Sequence, residues 1–161
     1  MPPAPGRPRR LAVDDDCLDM PLRFLNGEFY LKVSSAETGG NVTIYDTGRR
    51  ERGGPPMHLH HAQDEWFFVR EGEFVIRIGD EDFRLSSGDS ILAPRRVPHA
   101  FANLSETGRL MVMFQPAGTM EAFFLEASRM TESTPSNMQA LFRAHGMEIT
   151  GPPLDINSFS V

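Results

Sequence analysis

Between residues 22 and 116, apolar and polar positions alternate in short runs separated by turn residues. In FYLKV, residues 29–33, Phe29, Leu31 and Val33 share one face, and in EFVIRIG, residues 73–79, Phe74, Ile76 and Ile78 do the same. Successive side chains of a strand point to opposite faces, so each run reads as a half-buried strand. NVTIYD after the ETGG turn, WFFVREG ending at Gly72, ILAP behind Gly88 and Asp89, HAFAN, and RLMVMFQP at 109–116 continue the series. Short strands in this number, punctuated by Gly and Pro, predict a mainly β, antiparallel sandwich or barrel over residues 22–116.

The period changes after residue 116. Met120, Phe123, Phe124, Ala127 and Met130 recur at helical spacing behind Thr119, a candidate N-cap. Met138, Leu141 and Phe142 share a second helical face, with Thr134 and Pro135 suited to its first turn and Gly146 to the left-handed residue beyond its end. Residues 117–161 are therefore expected as a helical extension packed on the barrel, with an extended or loop-like tail from Ile149. Residues 1–21, rich in Pro and Arg and then carrying Asp14, Asp15 and Asp16, are expected as a flexible arm.

Composition narrows the function classes. The chain has 161 residues and a formal net charge of −6, so one domain is expected, without the basic footprint that nucleic acid or anionic lipid requires. Cys17 is the single cysteine, which excludes an intrachain disulfide and fits a reducing compartment. No run approaches the ~18 apolar residues of a membrane span. The start lacks the apolar core of a secretory signal, and the aspartates at 14–16 speak against a transit peptide. A cytoplasmic protein is expected, with no nucleic-acid partner and no membrane partner.

Three of the five histidines fall within PPMHLHHAQDEWFFVREG, residues 55–72. On a strand, His58 and His60 lie on one face with backbones roughly 6.6 Å apart, close enough for two imidazoles to converge on one ion. His61 points the other way. Glu65 follows after a short turn, and His99 in VPHAFAN is the candidate for a fourth ligand. An isolated HLH is commonly a solvated pair; Glu65 and a distant His99 behind a Gly-Asp and a Pro turn make it a candidate metal site.

At this point the chain resembles the cupin superfamily. The first motif of that superfamily, G-x5-H-x-H-x(3,4)-E-x6-G, is matched by His58, His60, Glu65 and Gly72. The second, G-x5-P-x-G-x2-H-x3-N, is matched by Gly88, Pro94, His99 and Asn103. The short gap between Gly72 and Gly88 is similar to that of small single-domain cupins of the quercetin-dioxygenase-like type. Two positions depart from the pattern. Arg52 stands where the first motif begins with glycine, with Gly53 and Gly54 displaced, and Arg96 stands at the glycine of P-x-G, where a positive φ would strain it. Arg96 reads as solvated, or as a cation at the pocket mouth.

The resemblance implies a double-stranded β-helix, or jelly-roll, barrel in which His58, His60, Glu65 and His99 hold one divalent metal ion: iron, nickel, manganese, copper or zinc. Glu65 is the one ligand able to accept a proton as well, and is the expected catalytic residue. Phe67 and Phe101, next to ligands on their inward faces, are expected to line a substrate pocket. RLMVMFQP turns inward either Leu110, Val112 and Phe114 or Met111, Met113 and Gln115; Met111 and Met113 would make an adaptable apolar mouth and are carried forward as pocket residues. Trp66 and Phe68 fall on the opposite face and would form a dimer surface unless the helices cover them. Asp64 could orient a ligand histidine, and His145 reads as a cation at a helix end. The expected function is that of a metal-dependent dioxygenase or other oxidoreductase on a small aromatic or enolisable substrate. The alternatives are a metal-dependent isomerase or lyase, and a non-catalytic cupin that binds a small-molecule ligand. A homodimer is expected from the resemblance.

Overall fold

The alternation resolves into strands β1 (Leu22–Phe24), β2 (Gly27–Val33), β3 (Thr43–Arg49), β4 (Pro56–His60), β5 (Asp64–Glu71), β6 (Phe74–Ile78), β7 (Glu81–Leu85), β8 (Ser90–Ala93), β9 (His99–Asn103) and β10 (Gly108–Gln115). Helices α1 (Met120–Ser128) and α2 (Pro135–Ala144) follow, and then strand β11 (Met147–Pro153). The computed structural model describes residues 6–159. Two antiparallel sheets face each other, one in the order β1-β2-β3-β10-β5-β8 and the other in the order β11-β4-β9-β6-β7. This is a mainly β jelly-roll barrel with helices near its C-terminal end. No helix among the described residues is long and apolar enough to cross a membrane.

Inward positions of both sheets form one core, with Leu31, Tyr45, Phe67, Val69, Leu110 and Val112 from the first sheet and Phe74, Ile76 and Phe101 from the second. α1 adds Met120, Phe123 and Phe124 to it, and α2 adds Phe142. Phe124 packs 4.7 Å from the rings of both Phe29 and Tyr45, and Phe123 meets Phe142 edge-on at 5.1 Å. The outer face of the second sheet is also covered, because Leu154, Ile156 and Phe159 of the C-terminal segment lie against Val75, Ala100 and Ala102.

The displaced glycine of the first motif has a physical reason. A Cβ at Gly54 would lie 1.8 Å from the carbonyl oxygen of Phe101, so the residue that lets the chain pass β9 must be glycine. Asn103 of the second motif ties the same crossing together, its Nδ2 donating to the carbonyls of Glu51 and Ser105 at 2.8 Å.

Several expectations need correction. The tail expected as extended or loop-like is a paired strand that begins two residues earlier: β11 pairs with β4 along the histidine strand, Met147 opposite His60 and Ile149 opposite His58. Its Gly-Pro-Pro reads as a turn, yet β11 is an edge strand with two register irregularities, where a missing N–H is tolerated. The arm, residues 1–21, is anchored at its far end, while residues 1–5 lie outside the described residues. Asp16 is buried because its carboxylate accepts from the backbone N–H of Leu31 at 2.6 Å and of Leu18 at 2.8 Å, which drags Cys17 into the core. β10 turns Leu110, Val112 and Phe114 inward, so Met111 and Met113 occupy the outer face beside Phe68 and Trp66 and cannot line an interior pocket. α1 packs on β1 and α2 on β11, leaving Trp66 and Phe68 outside their cover. Thr119 precedes α1 but does not cap it; its hydroxyl meets His145 Nδ1 at 2.7 Å instead.

Arg96 adopts φ 67°, the left-handed conformation that glycine takes without cost. Its backbone N–H donates to the carbonyl of His60 at 2.7 Å and its side chain is exposed, so the turn shape is kept and the strain accepted. Arg96→Gly is expected to stabilise the protein by ~0.5–1 kcal/mol, seen as a thermal midpoint ~1–4 °C higher.

Candidate metal centre

β4 and β9 are neighbours, and His58 and His99 are direct cross-strand partners. His60 lies two residues along β4 on the same inward face. Glu65 reaches the same point from β5, in the opposite sheet. All four are buried, and one ligand atom from each lies within 4.8 Å of all the others. The rings of His60 and His99 are nearly parallel, 5.5 Å apart.

The tautomers follow from the surroundings. His58 Nδ1–H donates to the carbonyl of Pro56 at 2.8 Å and His99 Nδ1–H to that of Val97 at 3.2 Å; a carbonyl can only accept. His60 Nδ1–H donates to Gln63 Oε1 at 3.1 Å. Gln63 is held in that orientation because its Nε2 donates to the carbonyls of Pro116 and Ala117, both at 2.8 Å. Every Nδ1 is thus a committed donor, which leaves each Nε2 turned into the cluster. His99 Nε2 stands 2.7 Å and His60 Nε2 3.1 Å from Glu65 Oε2. Imidazole nitrogens and a carboxylate oxygen that meet at such distances share either a proton or a cation. Adjacent ligand atoms around an octahedral ion at about 2.1 Å are about 3.0 Å apart, so the donor set fits a divalent metal ion.

Electrostatics agree with that requirement. Burial, with smaller contributions from His99 and His60, lowers the His58 pKa from 6.5 to about 3, so this ring stays neutral. Burial by itself would raise the pKa of Glu65; its contacts with His60 and His99 outweigh it and hold the carboxyl below its ordinary range.

His58, His60 and Glu65 face a cavity whose other walls are mostly apolar. Phe101 is on its wall, as are Val112 and Phe114, which take the place expected for Met111 and Met113. Phe67 lies deeper, fully buried, its ring edge-on to His99 at 5.9 Å. Asp64 does not orient a histidine: it pairs with the side chain and backbone of Arg95. That role falls to Gln63, which sequence reasoning passed over because a Gln in a turn looks solvated. Thr47 and Arg49, also on the cavity wall, were missed because GRRERGG reads as a charged loop.

A family model described as a cupin domain matches residues 50–114, a span that contains all four ligand positions. An uncharacterized protein of Streptomyces coelicolor is 39% identical over 99 residues, covering 55% of this chain and 94% of that relative. The chain belongs to the cupin family. Over 55 residues the cupin is 38% identical to a 3-hydroxyanthranilate 3,4-dioxygenase of Xanthomonas oryzae, covering 30% of this chain and 31% of that enzyme's length. Among solved structures, Halomonas KdgF is similar with a TM-score of 0.52 at 20% identity, over 56% of this chain and 79% of that one. The nucleoside dehydratase Pac13 gives a TM-score of 0.56 at 12% identity, over 71% and 88%. At these identities the two structures attest to the shared cupin fold.

The pKa shifts carry a sign. His58 is neutral when folded but takes up a proton below about 6.5 when unfolded, and Glu65 likewise binds its proton more readily unfolded, below about 4.5. Stability therefore is complete above about pH 6.5 and falls as the solution is acidified towards pH 3. In chelator-treated protein the urea midpoint is expected to drop steadily between pH 7 and pH 4, and His58→Gln to flatten that slope.

Proposed function

We propose that this cupin holds one divalent transition-metal ion on His58, His60, Glu65 and His99 and acts as an oxidoreductase of the dioxygenase type on a small aromatic or enolisable compound. The observation that carries this reading is the convergence of three imidazole nitrogens and a Glu65 carboxylate oxygen at an apolar cavity. When bound, the ion supplies Lewis acidity to a coordinating hydroxyl and, in a redox-active case, reactivity towards dioxygen. The local likeness to a dioxygenase over the ligand-bearing type of domain supports the same class.

The chain's own residues supply the rest. In this reading Glu65, whose Oε2 faces His60 and His99, takes the proton that a substrate hydroxyl gives up. Phe101 and Phe114 offer flat apolar walls to a planar substrate and exclude water from the ligands. Phe67, behind His99, keeps that ring from tilting.

Metal analysis of untagged protein is expected to find about one equivalent of a redox-active ion in the wild type and to lose it in His99→Ala. Flavonols and diketones would then be screened with an oxygen electrode. Turnover without oxygen uptake would replace the oxidoreductase reading with an isomerase or lyase, and bound ligand without turnover with a binding cupin. The homodimer belongs to the same proposal: Ile44, Met113, Trp66 and Leu92 form one cross-strand row on the outer face, with Leu92 50% exposed. Sedimentation is expected to show a dimer for wild type and a monomer for Trp66→Glu.

A further inference from the structure

The cavity at the metal centre has a second polar feature that neither the ligand set nor the fold requires. Arg49, the last residue of β3, turns into the barrel and is only 3% exposed. Among the described residues it makes no hydrogen bond and no ion pair, and its Nε is buried without a partner. Its one close neighbour of note is the face of Phe101, 5.5 Å from the guanidinium carbon. Two residues earlier on the same face, Thr47 is fully buried and its hydroxyl oxygen is likewise unpartnered. Both residues line the cavity that His58, His60 and Glu65 also line.

Other buried carboxylates among the described residues have partners. Asp46 pairs through one oxygen with Arg70 and Arg109, and Asp16 accepts from backbone N–H groups. Desolvation lowers the Arg49 pKa to about 10, which leaves the group charged at neutral pH, and the first counter-charge acting on it is the exposed Glu51. A cation over one aromatic face does not offset that desolvation. A Cβ at Gly27 would stand 2.5 Å from Arg49 Nη1, so glycine there is what lets the guanidinium lie against the β2 backbone inside the barrel.

We propose that Arg49 and Thr47 form a carboxylate-binding subsite, so that the substrate of the metal centre is a small aromatic or enolic carboxylate, its carboxylate on Arg49 and its hydroxyl towards Glu65. This deepens the function proposed above and rests on it only for the placement of the hydroxyl. A guanidinium fork with one hydroxyl beside it matches the two oxygens of a planar monoanion. A phosphate dianion would bring a further charge and unmatched oxygens against apolar walls.

The test is calorimetric titration of the full chain, as purified and after chelation, with benzoate and its neutral isostere benzamide. Benzoate is expected to bind at least roughly tenfold more tightly in both forms. Arg49→Met is expected to abolish that preference while keeping the wild-type metal content, and Arg49→Lys to retain part of it. Without ligand, Arg49→Met should melt higher than wild type, since an unpaired buried charge is removed; an arginine with a purely structural role would make it melt lower. Benzoate should raise the wild-type midpoint and leave that of Arg49→Met unmoved. Equal binding of the two probes, no detectable benzoate binding, or a preference that survives in Arg49→Met overturns the subsite. A preference lost on chelation and in His99→Ala but kept in Arg49→Met puts the carboxylate on the metal and overturns it too. An Arg49-dependent preference in a wild type that contains no metal leaves the subsite standing and removes the metal reading instead.

Discussion

Three imidazoles and a carboxylate crowd together in an apolar interior, and the inner architecture of this cupin is arranged around holding them there. Each imidazole gives up its one N–H to a fixed oxygen outside the cluster: a β4 carbonyl, the Val97 carbonyl before β9, and the Gln63 amide. What remains pointing inward is three Nε2 atoms and a carboxylate, near enough to share a proton or a cation. The surrounding structure holds them in place. A Cβ on Gly118 would strike Gln63 Nε2 at 2.6 Å, so even the amide that orients His60 depends on room left by a glycine at the start of the helical segment.

The two sheets divide the ligands unequally. His58, His60 and His99 belong to one sheet and Glu65 to the other, so an ion at the cluster also joins the two faces of the barrel. β11 matters for the same reason. By pairing with β4 it gives the histidine strand a hydrogen-bonded neighbour on both sides, which keeps His58 and His60 in a single register. The C-terminal segment then covers the outside of that sheet with Leu154, so the histidine-bearing layer is sandwiched.

The ligands were legible because strand periodicity puts His58 and His60 on one face whatever the surroundings, and the spacing to Glu65 and the second motif carried the rest. Which face of β10 looks inward was not legible: Leu110, Val112 and Phe114 are as apolar as their neighbours Met111 and Met113, and packing against both β3 and β5 decides between them. β11 was hidden by Gly151, Pro152 and Pro153, which signal a turn unless the strand lies at a sheet edge. Asp16 and Arg49 were hidden by their company. Each sits in a run of like charges that reads as solvated, and only the partners of one, and the lack of partners of the other, reveal that they are inside.

The carbonyl anchors have one more consequence. Rings tethered at Nδ1 do not swing away when the centre is vacant, so the site need not refold to accept an ion and offers little flexibility with which to reject a poor one. Affinity for such a rigid nitrogen-and-oxygen set rises along the first-row series towards copper. An ion taken up on these four residues would therefore reflect supply as much as the site itself.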